Sequence, residues 1–248
     1  MRNCNKTLNN IFLFIFIQCT LCFSQSKEID TPFNLGGNIS VVKAETFYAM
    51  KKNDPVYTGK IPNQLSSGDV IFIFVGCSGG LPQIQTKGWS KIISAFPKKD
   101  PGDVNVTVWY KKYTKSDSGT YKLKLANKTF ITIAVLRGID PENPVVDKAG
   151  AANTAKEKGL AIAPEVSAEK GGVTIAAFTF DDPYKVWVEG MHMISSWKQG
   201  DDGQAIAIKL SEKNGQTGTV KTTKNPQENP KGGGNEAAAT ITLRAKRN

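Results

Sequence analysis

Apolar positions in this chain recur with the two-residue period of half-buried strands, and no segment carries the longer period of an amphipathic helix. The alternation is cleanest over residues 104–110, 121–125 and 204–210. Side chains on a strand point to opposite faces in turn, so each of these segments predicts a strand with one face buried. Two runs, residues 70–75 and 130–136, are apolar without interruption. A run of that length with no polar face predicts a central strand covered on both sides. Residues 173–180 follow Gly171-Gly172 in the same manner, and residues 39–47, 89–96, 191–198, 217–223 and 237–243 supply the remaining strands.

Turn chemistry separates them. Gly76-Cys77-Ser78-Gly79-Gly80, Asp100-Pro101-Gly102-Asp103, Ser116-Asp117-Ser118-Gly119, Asp181-Asp182-Pro183, Gly200-Asp201-Asp202-Gly203 and Asn214-Gly215 each punctuate the pattern. About ten strands between such turns predict an all-β fold, a single β-sandwich or jelly roll over residues 39–248. Three segments read as loops: the leader around 27–38, residues 147–159, and the Pro/Gly-rich residues 226–234.

The first 26 residues differ from the rest. Arg2 and Lys6 precede an apolar stretch at 11–17 that resumes at 21–23 and ends in Ser24-Gln25-Ser26. A basic start, a short apolar middle and a small-residue exit predict a signal peptide over residues 1–26, and hence a secreted or envelope-associated protein. The apolar stretch is shorter than the ~20 residues of a membrane span, so no span is expected in the mature chain. Removing the segment takes Cys4, Cys19 and Cys22 with it. Cys77 alone remains, and the mature fold must rest on its core without an internal disulfide.

Net charge is +10, falling to +8 when Arg2 and Lys6 leave. The lysines are dispersed among apolar positions, as on the solvent faces of strands. Such a surface favours anionic partners through a salt-dependent attraction. In an extracellular setting these are an anionic polysaccharide, lipopolysaccharide or another cell-surface component. No aromatic-plus-basic motif points to nucleic acid.

Little in the chain supports catalysis. His192, the single histidine, lies in Met191-His192-Met193 and is predicted to point outward from a strand. The Gly-x-Ser-x-Gly spacing of a nucleophile loop is absent around Cys77-Ser78. One histidine and one cysteine do not make a zinc site. Asp181, Asp182, Asp201 and Asp202 sit in two turns and are candidate calcium ligands if both turns share one end of the sandwich. Glu45, Asp181, Glu189 and Asp201 are the carboxylates from which a glycosidase pair would have to come. Flat exposed rings stack on sugars, and Tyr184, Trp187 and Trp89 near strand boundaries are the candidate ligand-binding aromatics. Trp109 and Trp197 lie within strand patterns, where core packing is expected.

The order of motifs carries a resemblance. It begins with Gly68-Asp69-Val70 before an apolar strand, Gly88-Trp89 after a glycine-rich loop, and Val108-Trp109-Tyr110-Lys111-Lys112. Ser116-Asp117-Ser118-Gly119-Thr120-Tyr121 and Leu136-Arg137-Gly138-Ile139-Asp140-Pro141 complete it. Over residues 39–243 this resembles the jelly-roll-like β-sandwich modules of bacterial secreted proteins and of phage structural or tail-associated proteins. Modules of that kind are mostly of unassigned function. The resemblance implies a sandwich and a structural or surface-binding role, and it transfers no functional residue. The expectation is therefore a non-catalytic binding module, with a self-assembling structural subunit of a surface complex as the alternative. A carboxylate-based glycan-active enzyme is the third reading.

Overall fold

The computed structural model describes residues 25–28, 32–50, 56–97, 103–117, 119–152, 160–181, 186–200, 202–224 and 235–247. Among these there are twenty strands and no helix, so the all-β expectation holds. Among the described residues no helix is long and apolar enough to cross a membrane. Residues 1–24, most of the segment predicted as a signal peptide, and with them three of the four cysteines, lie outside the described residues.

Two large antiparallel sheets face each other. The first contains β1 (Gln25–Glu28), β2 (Phe33–Gly36), β3 (Ile39–Met50), β5 (Val70–Ser78), β7 (Ser90–Ala95), β8 (Asn105–Lys112) and β10 (Lys128–Arg137). Its order is β1-β3-β10-β5-β8-β7, with β2 also on β3. The second contains β11 (Val145–Ala152), β14 (Val173–Phe180), β16 (His192–Gln199), β17 (Asp202–Leu210) and β20 (Glu236–Leu243), in the order β11-β20-β14-β17-β16. A smaller sheet covers the outside of each. On the first it is β4 (Val56–Lys60), β9 (Thr120–Lys124) and β6 (Gln83–Ile84). On the second it is β12 (Ile162–Ala163), β19 (Val220–Lys224) and β15 (Val186–Val188), flanked by the pair β13 (Ser167–Ala168) and β18 (Gly215–Gln216).

Two segments expected to be loops therefore contain strands. The leader supplies β1 and β2, which pair with β3, and residues 145–152 form β11 on the edge of the second sheet. An edge strand is held by backbone bonds on one side and needs no alternating apolar pattern, which is why the sequence pattern leaves both unmarked.

The two halves of the chain are one topology used twice. Numbering the five main strands of residues 39–137 in chain order, they lie first, fifth, second, fourth, third across the sheet. The five strands of residues 145–243 lie in the same order. The equivalence extends to single residues. Val70 pairs with Leu136 and Lys112, as Val173 pairs with Leu243 and Leu210. The register slips between Lys91 and Ile93 on β7 and between Met193 and Ser195 on β16, so the same position is bulged in each half. At the foot of β5 Gly68 N–H donates to the Tyr113 carbonyl and Tyr113 N–H to that of Asp69, just as at the foot of β14 Gly171 donates to Ser211 and Ser211 to Gly172. Each Leu-Arg closing a half is clamped to an acid near that foot. Arg137 makes a bidentate pair with buried Asp69 (2.8 and 2.9 Å), and Arg244 pairs with Glu169 (2.9 Å).

Three apolar cores fill the spaces between the four layers. The central one joins the two large sheets through Phe72, Phe74, Val106 and Val108 against Ile175, Ala177, Ile206 and Ile241. The outer cores lie beneath the small sheets, around Ile73, Tyr121 and Leu123 on one side and Phe178, Ala207 and Val188 on the other. Central strands are thus apolar on both faces, and each fully buried phenylalanine contributes roughly 1.5–3 kcal/mol. Toward one end the central core turns polar. Thr46 bonds Thr132 and Ser195 at 2.9 Å each, and Thr132 donates to Gln204 at 2.6 Å. Here the sheets approach so closely that a Cβ on Gly76 would lie 2.3 Å from Thr179 Oγ1 and 3.0 Å from its methyl.

A methyl group at position 76 has nowhere to go, because β-branched Thr179 presents one arm or the other to it. Gly76→Ala is expected to destabilise by about 1–3 kcal/mol, read as a lowered Tm in thermal unfolding; an unchanged Tm would contradict the close approach. Stability is also expected to fall in acid. Arg244 holds Glu169 below the usual carboxylate range, and the backbone N–H groups of Ser167 and Asn143 do so for Asp147 and Asp140. Depressed folded values stabilise the fold fully above the ordinary carboxylate range, and that contribution is lost as pH falls through them. Calorimetry between pH 7 and pH 3 should show Tm dropping below the ordinary carboxylate values, and a flat profile would oppose this.

Candidate functional site

On the outer face of the second sheet, the row Ala205, Ala207 on β17 runs beneath β15 and β19 and is buried. By the same alternation the next outward residue is Lys209, paired in register with Thr174 on β14. The small covering sheet stops short of this point. A groove remains, floored by Lys209, Thr174 and Ser211, with the last two hydroxyls bonded at 2.9 Å. It comprises two cavities of about 380 and 350 Å³ that share Lys209 and Thr217. Glu189, Lys221 and Thr223 line the first, and His192, Lys213 and Gln216 the second. Trp187, 40% exposed, stands on β15 directly across from Thr223.

The equivalent place in the first half is closed. Register makes Lys111 the counterpart of Lys209, Trp89 that of Met191 and Tyr113 that of Ser211. Lys111 Nζ lies 2.5 Å from Asp117, both side chains being largely buried. Burial raises the Asp117 carboxyl, but the Lys111 ammonium and the Thr114 N–H outweigh it and hold the group below its ordinary value. Trp89 packs edge-on against Tyr121 with ring centroids 6.0 Å apart, and Tyr113 packs on the same outer core. In the second half a methionine and a serine replace these two aromatic rings, and Lys209 has no acidic partner among the described residues. The space between layers stays open.

The candidate aromatics therefore separate. Trp187 is on the surface beside the groove, Trp89 is half-buried in the first outer core, and Tyr184 lies outside the described residues. Trp109 is buried and Trp197 packs edge-on against Phe130. Of the two Asp-Asp turns only Asp181 and Asp202 are described, and they lie at the same end of the second sheet. One step past the registered pair Phe180–Gly203, Asp181 stands opposite Asp202. The cation at Asp202 is an ammonium, Lys128 Nζ at 2.8 Å, and no group of three His, Cys, Asp or Glu poised for a metal occurs among the described residues. Asp182 and Asp201 lie outside those residues. Glu45 is on the outer face of the first sheet, where it pairs with Lys43 at 3.2 Å, whereas Glu189 borders the groove on the far side of the molecule. Layers of sheet separate these two carboxylates.

His192 is exposed at the end of β16, lines the groove and lies 5.5 Å from the Phe33 ring. Cys77 is free and buried, donating to Asn105 Oδ1 at 3.1 Å and to the Gly80 carbonyl at 3.2 Å. Desolvation pushes its thiol up to about 12. The groove residues Lys209, Lys221 and Thr217 escape a reading of the sequence because they look like ordinary solvent-facing positions. Only the alternation at residues 204–210 carries a signal, since it puts Lys209 on the face of Ala205 and Ala207.

Comparison of the chain with protein-family models, with curated proteins and with solved structures finds no match. Function must be argued from the groove. For Cys77 the geometry makes one plain prediction. In the native protein it should resist alkylation at pH 8 and react once the chain is unfolded, as read by intact mass; rapid native labelling would contradict its burial.

Proposed function

We propose that this is a secreted or envelope-associated, non-catalytic module that binds a polysaccharide at the groove between β15, β17 and β19. The observation that carries this reading is the groove itself. Its lining offers lysine, threonine and glutamine side chains, and the exposed indole of Trp187 stands across β15–β19 from Thr223 of that lining. An indole face stacks on the apolar face of a sugar ring, and hydroxyl and amide groups fix its hydroxyls, the combination by which small polar sites obtain orientation and affinity. The elongated shape suits a chain of sugar units better than a compact metabolite. The export signal read from residues 1–26 would bring such a module to extracellular glycans.

A glycan array is the direct test, with specific polysaccharide binding expected. Trp187→Ala should weaken that binding at least about tenfold, the equivalent of ~1.4 kcal/mol, while leaving Tm unchanged because the ring is on the surface. Absence of any glycan signal, or full binding by the Trp187→Ala protein, would overturn the proposal.

A further inference from the structure

The two halves differ at one electrostatic position, and the difference says what kind of glycan belongs in the groove. In the first half Lys111 is satisfied from within by Asp117 at 2.5 Å. Three other described cations at the sheet ends are likewise answered by acids. Arg137 has Asp69, Arg244 has Glu169 and Lys128 has Asp202. Lys209 occupies the same register position as Lys111, on the same face of the same strand of the repeated unit. It lines both cavities of the groove and, among the described residues, has no acidic partner, although Glu189 and Glu212 border the groove. Lys213 and Lys221, on either side of it, have no acidic partner among the described residues either. A lysine kept at a half-buried position without its acid presents an ammonium whose best partner is a carboxylate or sulfate supplied from outside.

We infer that the ligand is an acidic polysaccharide, one of whose anionic groups takes at Lys209 the place that the Asp117 carboxylate takes at Lys111. This rests on the glycan-binding reading of the same groove. Lys221 lies toward Trp187 and Lys213 toward His192, so successive charged units along the ligand meet lysines on both sides of the central contact. Glu189 and Glu212 repel an anion at their own positions, which fixes where along the groove the charged groups can sit and gives the site selectivity over a featureless basic surface. The shared chemistry is an anionic oxygen group on a sugar ring, and uronate and sulfate are its two sources.

Calorimetric titration with polygalacturonate, dextran sulfate and neutral dextran, at low and at moderate salt, tests this. The wild-type protein should bind at least one of the two acidic polymers and prefer it to dextran, and the polymer that binds identifies carboxylate or sulfate. Lys209→Gln should weaken that binding about tenfold, and Lys209→Arg, which keeps the charge, should retain most of it. Met191→Trp, which restores the aromatic plug of the first half, should block binding while leaving Tm in the wild-type range. Equal affinity for dextran, or an unchanged affinity in Lys209→Gln, would overturn the acidic-ligand inference and leave glycan binding standing. Failure of all three polymers together with a blank glycan array would remove both.

Discussion

The double-sided burial of the two large sheets is the constraint from which the rest of the molecule follows. A strand such as β5, β14 or β20 has no polar face to offer water, so each sheet must be covered twice. One cover is the small sheet of the same half. The other is the large sheet of the opposite half, and the central core between them includes both phenylalanines of β5. Neither half could expose that inner face to solvent without presenting a wide apolar surface. The two halves are therefore expected to unfold together. The points of closest approach, Gly76 over Thr179 and the hydroxyl chain from Thr46 to Gln204, fix how the sheets sit on one another.

That arrangement also assigns different tasks to equivalent positions. The inner faces are committed to the central core, so space for a ligand is to be found on the outer faces, beside the small covering sheets. In the first half two aromatic rings and an internal ion pair complete the cover. In the second they are absent, and the groove lies where the cover is missing. The groove is thus a difference between two halves of one topology, one closed by its own packing and the other open.

Much of the fold was legible in the sequence. The uninterrupted apolar runs at 70–75 and 130–136 correspond to strands with cover on both faces, and the alternating runs at 104–110 and 204–210 to β8 and β17. The repeated topology was not legible, because what the halves share is register, bulge position and backbone bonding. Side-chain identity survives at few places, chiefly Leu136-Arg137 against Leu243-Arg244 and the glycines before β5 and β14. Edge strands were invisible for the reason that one-sided backbone pairing leaves no pattern. Of the candidate site, Trp187 stood out as an aromatic at a turn boundary. Lys209 did not, since its meaning lies in what Lys111 has and it lacks, a comparison that needs the register of both halves.

The central claim is that the second half holds the binding groove and the first half, its topological copy, does not. Hydrogen exchange with and without a bound polysaccharide tests it most directly, because it reads protection along the whole backbone. The account predicts slowed exchange confined to residues 186–192 and 209–223, with residues 84–90 and 111–124 unchanged. Protection of the first-half segments, or protection spread evenly over both, would contradict it.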